Sequence, residues 1–221
     1  MRSVLVSSAL STDRIECNLC ACGHQEADLA AAPLTVTFNR AKVVDFTKAF
    51  MISDVSGLMK TRHATQLGIR SVRDLARQSV VKYGVVDEGT TEDFFRLSIQ
   101  PDYQRMWAEM AMRDDSWVST VEEGIERVLS ASDEQPWAFL TESSALIASQ
   151  TCDTTIVYSE VWRTLALALP RGSPYKDRLD LAMLETREYG HLEVIRTKWF
   201  QSPECDHSAN GADKRFLFPP Q

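Results

Sequence analysis

The sequence lacks the patterns that mark several large classes of protein. Its 221 residues contain no internal repeat and no run of about 18 apolar residues, the length that a membrane-spanning helix requires. Lys and Arg number 24 against 31 Asp and Glu, so the formal net charge is −7. Nucleic acids and anionic membranes are bound by clusters of basic residues. We therefore expect neither a membrane-spanning helix nor a nucleic acid partner.

Catalytic motifs are also missing. The sequence has no G-x-S-x-G elbow and no phosphate-binding glycine loop. The four histidines, His24, His63, His191 and His207, fall in segments predicted as linker, helix or tail. An enzyme needs a nucleophile with a base, or paired carboxylates in a cleft, and neither pattern is visible. We expect no catalysis and no cofactor.

The N-terminal segment, residues 1–26, is atypical. Cys17, Cys20 and Cys22 with His24 form a C-x2-C-x-C-x-H pattern whose spacing could hold zinc. No second pair of ligands follows at a finger-like distance, so we expect no metal site. Residues 1–11 carry one positive charge and a short apolar stretch, which is a poor match to a secretion signal.

The most informative stretch runs from Ala32 to Phe50. Alternating residues predict a half-buried strand over Leu34–Phe38, with Pro33 at its entrance, where the first strand residue need not donate to the ladder. Arg40 follows at the predicted strand end, where a guanidinium can meet a carboxylate with two parallel hydrogen bonds. The pattern predicts a carboxylate-binding arginine, and a surface arginine in a loop remains the alternative.

Further along the chain, predicted strands alternate with predicted helices, which indicates an α/β sheet. The predicted strands are Val80–Val86, Trp137–Leu140 and Thr164–Leu169. The predicted helices are Val72–Gln78, Thr91–Ser98, Pro101–Met112, Val121–Ser130, Ser143–Gln150, Tyr175–Tyr189 and His191–Phe200. Gly190 separates the last two helices as a C-terminal cap.

Several blocks together resemble the ligand-binding core of ionotropic glutamate receptors. The first block has that family's Pro-Leu-Thr strand, its arginine and its Val-Val-Asp-Phe-Thr-Lys run. A second block, Tyr83 to Phe95, resembles the family's strand, glycine turn and Ser/Thr pair opening a helix. Other blocks between Tyr103 and Phe200 recur in the family's order. The sequences of these blocks are most similar to the kainate-type branch of the family or to an invertebrate relative.

The resemblance implies a two-lobed α/β clamshell of the periplasmic-binding-protein type (type II), with a ligand in the cleft. Carried onto this chain, residues 27–50 and 175–205 form lobe 1, residues 51–169 form lobe 2 and residues 206–221 form a tail. The family's opening strands have no counterpart here, so we expect an incomplete first lobe. Only residues 60–70 stand where a receptor has its pore helices, so we expect no pore.

The resemblance also implies how an amino acid is held. Arg40 takes the α-carboxylate. The ammonium meets the carbonyl of Pro33, the hydroxyl of Thr35 and the carboxylate of Glu142, and the distal carboxylate sits at a helix N-terminus. The implied ligand-binding residues are Pro33, Thr35, Arg40, Gly89, Thr90, Thr91 and Glu142. Two alternatives stay open: Glu142 as an ordinary acidic residue at a helix start, and Thr90 as the cap of its own helix.

The implied partners are L-glutamate or a related amino acid, and receptor subunits paired through the helix at Tyr175 to Tyr189. Cys152 and Cys205 match the family's disulfide, which would add about 2–4 kcal/mol and implies the extracellular face of the plasma membrane. Two alternatives remain: a truncated, non-binding relative that acts through full-length subunits, and a soluble periplasmic-type amino-acid-binding protein.

Overall fold

Strands and helices alternate through residues 4–6 and 27–200, the part of the chain that the computed structural model describes. Its strands are β1 Val4–Val6, β2 Leu29–Thr35, β3 Val44–Phe46, β4 Met51–Lys60, β5 Lys82–Val86, β6 Trp117–Val118, β7 Trp137–Glu142, β8 Thr154–Val157 and β9 Trp162–Pro170. Its helices are α1 Phe38–Ala41, α2 Thr61–Leu67, α3 Val72–Ala76, α4 Thr90–Leu97, α5 Pro101–Ala111, α6 Val121–Ser130, α7 Ser143–Ile147, α8 Lys176–Glu188 and α9 His191–Trp199. The fold is mixed α/β, as predicted.

The strands form one open network in the order β1-β2-β9-β4-β7-β5-β6, with β3 beside β9 and β8 beside β4. β9 runs antiparallel to β2, β3 and β4, and β5 runs parallel to β6 and β7. β4 divides its pairing: residues 51–54 pair with β9, and residues 55–60 pair with β7 and β8. β1, β2, β3 and β9 form a small sheet, and β5, β6, β7 and β8 form a larger one. β4 pairs with strands of both, so β4 and its partner β9 connect the two sheets.

Apolar packing is separate in the two sheets. The small sheet buries a cluster rich in alanine around Leu34, Val44 and Ala168. The larger sheet is covered on both faces: α3, α4 and α5 pack on one, where Phe95 is fully buried, and α6 and α7 pack on the other, over Phe139. One cluster in the small sheet and two in the larger sheet fit two lobes, and the lobe boundaries at residues 27–50, 51–169 and 175–205 remain a prediction.

The strand predicted over Leu34–Phe38 is wrong in its position. β2 begins and ends earlier, and α1 follows because the Thr37 hydroxyl accepts a hydrogen bond from the Arg40 amide at 3.3 Å. Pro33 lies inside β2, where the register against β9 shifts, and such an irregularity tolerates a residue without an N–H. Arg40 therefore belongs to a short helix and not to the end of the strand.

β4 was not predicted, because polar residues interrupt its apolar pattern. Those residues are buried in the structure with their polar groups satisfied. The Ser56 hydroxyl donates to the Asp54 carboxylate at 2.6 Å, and the Asp54 amide donates to the Ser143 hydroxyl at 3.2 Å. A buried polar side chain with a local partner is compatible with a central strand, and sequence alone does not reveal the partner.

The last two helices lie on the surface. Neither α8 nor α9 contains a buried residue, and Gly190 between them has a φ of 76°, as its predicted capping role requires. The Lys48 amide donates to Asp180 at 2.7 Å, and the Arg187 guanidinium donates to the Ala49 carbonyl, so α8 is held against the small sheet by polar contacts. No helix in the described residues has the length and apolarity that a membrane span requires.

The backbone of Ser116 lies close to Gly84 in β5, and this contact allows a test of the packing in the larger sheet. A Cβ there would overlap the Ser116 carbonyl oxygen and would lie 2.8 Å from the Trp137 ring. We expect Gly84→Ala to lower the free energy of unfolding by about 3 kcal/mol, because β5 must move to relieve the overlap. Urea denaturation measures the loss.

The control is Gly68→Ala, where a Cβ would meet nothing within 4 Å and only the φ of 66° is unfavourable. That variant should lose about 1 kcal/mol. Equal losses in the two variants would contradict the packing of β5 against Ser116.

Candidate functional site

An inner cavity of about 70 Å³ lies where β2, α1, α4 and β7 meet, between the two sheets. All seven predicted ligand-binding residues line it, although they come from four separate segments of the chain. Its complete lining is Pro33, Thr35, Arg40, Val86, Gly89, Thr90, Thr91, Val121, Thr141, Glu142, Ser144 and Ala145. The structure thus brings the predicted residues together at one place.

Thr35 connects the two sides of this cavity. It is the last residue of β2 and is paired with Leu165 of β9, which fixes the position of Thr35 along the strand. Its hydroxyl donates a short hydrogen bond to Oε1 of Glu142, at the end of β7. Because the two residues belong to different sheets, this contact spans the cavity.

Arg40 supplies the cation. The residue is only 9% exposed, and its Nη1 donates to the Thr35 carbonyl at 3.4 Å. Placement on α1, behind the Thr37 cap, aims the side chain back towards β2. A buried guanidinium with a fixed direction is suited to bidentate binding of a carboxylate.

The N-terminus of α4 forms the opposite wall. Gly89 is the N-cap, and Thr90 and Thr91 are the first helical residues. The alternative in which Thr90 caps its own helix is wrong, because the cap position belongs to Gly89 and no side chain bonds there. The first N–H groups of a helix lack intrahelical partners, so this end of α4 can bind an anion.

Glu142 supplies the anion of the site. It ends β7 and is the N-cap residue of α7, so it does lie at a helix start, but its side chain makes no capping hydrogen bond and lines the cavity instead. Burial raises the pKa of the Glu142 carboxyl above its ordinary value. The hydrogen bond from Thr35 and the charges of Arg163 and Arg40 act in the opposite direction.

Several residues at the site were missed by sequence reasoning. Thr141, Ser144 and Ala145 adjoin Glu142 in the chain, and this adjacency was the available signal. Val86 and Val121 are apolar, and nothing in the sequence indicates that they line a binding site. Arg163 lines an outer cavity of about 630 Å³ that shares Arg40 and Thr90 with the inner one, and nothing in its local sequence distinguishes it from a surface arginine.

Some predictions fall on residues that the structure does not describe. Cys17, Cys20, Cys22 and His24 lie outside the described residues, as does Cys205, so its pairing with Cys152 stays a prediction. Within residues 27–200, His, Cys, Asp and Glu side chains form no cluster of three that could hold a metal ion.

Comparison with known proteins shows that the chain is similar to glutamate receptors in a family model and in individual sequences. A family model described as "Ligated ion channel L-glutamate- and glycine-binding site" matches residues 21–63. The chain is 40% identical over 148 residues to a protein named "Glutamate receptor" from Lymnaea stagnalis, across 64% of this chain and 16% of that protein. It is 34% identical over 154 residues to "Glutamate receptor ionotropic, kainate 4" from Rattus norvegicus, across 66% of this chain and 16% of that protein.

A solved structure is similar over most of the described fold. The "Drosophila muscle GluRIIB complex with glutamate" superposes with a TM-score of 0.75 at 28% identity, covering 84% of this chain and 73% of that one. This likeness confirms the predicted periplasmic-binding-protein-like fold. The chain spans 16% of the length of the two curated relatives.

The buried carboxyl of Glu142 gives a test of the site's electrostatics. Its pKa is raised in the folded protein, so ionisation disfavours folding as the pH rises through that pKa. We expect Glu142→Gln, which keeps an acceptor for Thr35, to raise the thermal unfolding midpoint at pH 7. The gain should vanish below about pH 4, where the carboxyl is protonated in both the folded and the unfolded chain.

The matched control is Glu122→Gln, at an exposed position in α6. Its unfolding midpoint should stay within the error of the wild type across the same pH range. A Glu142→Gln protein that is less stable than the wild type at pH 7 would show that the carboxylate stabilises the fold.

Proposed function

The chain is a relative of the ligand-binding domains of ionotropic glutamate receptors, and on that premise we propose that its inner cavity binds L-glutamate or a closely related amino acid. The observation that carries the proposal is the convergence of a guanidinium, a carboxyl and a helix N-terminus on one small cavity. An acidic amino acid presents two carboxylates and one ammonium, so each of its charged groups has a complementary partner.

Arg40 binds the α-carboxylate. The guanidinium is planar and offers paired N–H donors, which match the two oxygens of a carboxylate. Its burial supports the assignment, because a charge-assisted hydrogen bond gains strength where water is excluded. The bond from Nη1 to the Thr35 carbonyl keeps the arginine directed at β2.

Glu142 binds the ammonium, together with the hydroxyl of Thr35 and the carbonyl of Pro33. Glu142 accepts a hydrogen bond from the Thr35 hydroxyl, so the two acceptors of this corner lie next to each other. An ammonium has three donors and needs several acceptors, and this corner of the cavity offers a carboxylate, a hydroxyl and a main-chain carbonyl. Binding of the cation also compensates the unfavourable burial of the ionised Glu142.

The distal carboxylate is bound at Gly89, Thr90 and Thr91. Free amide donors and the positive end of the helix dipole favour an anion at the start of α4. Glu88 just before it has a φ of 56°, and its amide donates to Glu92 Oε2 at 2.6 Å, which fixes the turn into the helix. The distance from Arg40 to this turn selects for the length of the ligand.

Binding closes the cleft. The ligand joins residues of the small sheet, such as Arg40, to residues of the larger one, such as Thr91, and contacts made to both favour a closed state. β4 and β9 pass between the sheets and act as the hinge. In a receptor on the extracellular face of the plasma membrane, this closure is the signal, and a bridge between Cys152 and Cys205 suits that setting.

Calorimetric titration of the full chain with L-glutamate tests this proposal. We expect saturable heat for the wild type and a loss of about 100-fold in affinity for Arg40→Ala, because the α-carboxylate loses two charge-assisted hydrogen bonds. Arg40→Lys keeps the positive charge without the paired N–H donors of a guanidinium, so it should lose less affinity than Arg40→Ala. Arg105→Ala, at an exposed position on α5, should bind as the wild type does.

Two further readouts make the test decisive. Chromatography of the titrated solution should recover the glutamate unchanged, whereas its consumption would indicate an enzyme. Absence of heat from a wild type that shows a cooperative thermal transition would overturn the proposal.

A second candidate function is association without ligand binding, through a second copy of this chain. The observation that favours it is the apolar surface of α8 and α9, where Leu181 is 68%, Val194 is 70% and Trp199 is 66% exposed. Exposed apolar side chains on adjacent helices are typical of an interaction surface.

Sedimentation equilibrium tests this association. We expect a monomer–dimer equilibrium whose dissociation constant rises about tenfold in Val194→Ser, since an apolar contact at the interface is lost. Ile99→Ser changes a side chain that is 89% exposed elsewhere and should leave the constant unaltered. A wild type that is monomeric at all concentrations would exclude the candidate.

A further inference from the structure

The outer cavity carries a cation that the proposed glutamate site does not use. At about 630 Å³ it is much larger than the inner cavity, and it borders the same Arg40 and Thr90. Arg163, near the start of β9, lines the outer cavity but not the inner one. A ligand confined to the inner cavity would leave this space and this arginine unoccupied.

The sheet register directs Arg163 into the cleft. Thr35 is paired with Leu165, and side chains two residues apart on a strand share a face, so Arg163 lies on the same face of β9 as Leu165. Its Cζ atom stands 5.0 Å from the ring centroid of Phe94 on α4. A cation–π contact of this kind uses the charge of the guanidinium and does not consume its N–H donors.

Those donors have no hydrogen-bond partner among the described residues. Nε of Arg163 is buried without a hydrogen bond, and none of the residues 27–200 forms a hydrogen bond or an ion pair with this guanidinium. The acidic side chains nearby are engaged: Asp93 binds Arg96, and Glu142 accepts from Thr35. Two acidic side chains, Glu88 and Asp93, line the outer cavity together with Arg163, and Asp93 is the one paired with Arg96.

The electrostatic environment agrees with an unsatisfied cation. Burial lowers the pKa of the Arg163 guanidinium, Glu142 opposes that effect, and the like charge of Arg40 adds to it. The guanidinium nevertheless remains protonated at neutral pH. A charge that is partly removed from water, with unused donors, is stabilised by an anion that enters the cavity.

We propose that Arg163 binds an additional carboxylate of the ligand, so that the cleft accepts amino acids whose side-chain carboxyl carries an acidic extension, as in a γ-linked acidic dipeptide. This inference rests on the proposed function. The α-carboxylate and the ammonium keep their places at Arg40 and Glu142. Thr90 stands at the border of the two cavities, where a γ-amide carbonyl can still accept from the start of α4 while the extension continues towards Arg163.

Competitive calorimetry with three ligands tests the proposal. The ligands are L-glutamate, γ-glutamylglutamate and γ-glutamylglycinamide, whose extension is neutral. The wild type should bind γ-glutamylglutamate about tenfold more tightly than γ-glutamylglycinamide, because only the former has a carboxylate for Arg163. Equal affinities for the two dipeptides in the wild type would overturn the proposal.

Two variants of Arg163 separate ligand binding from a structural effect. In Arg163→Gln the preference between the dipeptides should disappear while the affinity for L-glutamate changes less than threefold, and Arg163→Lys should restore part of the preference. An equal loss for all three ligands in Arg163→Gln would mean that Arg163 acts through Glu142 and not on the ligand. The proposal would then be wrong.

The L-glutamate titration distinguishes failure of this inference from failure of the proposed function. Glutamate binding that requires Arg40, without a preference between the dipeptides, refutes only the role of Arg163. Absence of binding for every ligand refutes both. Each variant should keep a cooperative thermal transition, which separates a change in ligand preference from unfolding. The midpoint of Arg163→Gln should fall below that of Arg163→Lys, because only the lysine keeps the positive charge that compensates Glu142.

Discussion

The desolvation of the carboxyl of half-buried Glu142, where two sheets meet, is the constraint on which the site depends. A carboxyl removed from water needs compensating partners, and here they come from both sides of the cavity: the Thr35 hydroxyl and the charges of Arg163 and Arg40. Thr35 lies in β2, Arg163 in β9 and Arg40 in α1 directly after β2, whereas Glu142 ends a strand of the larger sheet. The electrostatics of one residue thus link the two halves of the fold.

The sheet topology makes this arrangement possible. β9 carries Arg163 and is paired with the strand that carries Thr35, and the same β9 is paired with β4, whose second half borders β7. This pairing brings β2, α1, α4 and β7, which are distant in sequence, to one cavity.

Local patterns were enough to predict much of the fold and of the site. α5 and α6 have strong helical periodicity, and their bounds agree with the prediction to within one residue. The seven site residues were found because each lies in a short block that resembles a known family. β4 was missed because its polar residues look exposed until their partners across the sheet are known. Arg163 was missed for the same reason, since its significance comes from Phe94 and Glu142, which are far from it in sequence.

The charges of the cleft also explain why its two cavities differ. In the inner cavity, Arg40 and Glu142 have opposite charges, and a zwitterionic head group complements both without leaving a residual charge. The outer cavity contributes the Arg163 cation, and Asp93, which also lines it, is paired with Arg96. An electrically neutral amino acid would leave that cation uncompensated, and a ligand with net negative charge would not. The proposed preference for acidic ligands therefore depends on the sum of the charges in the cleft as well as on the individual contacts.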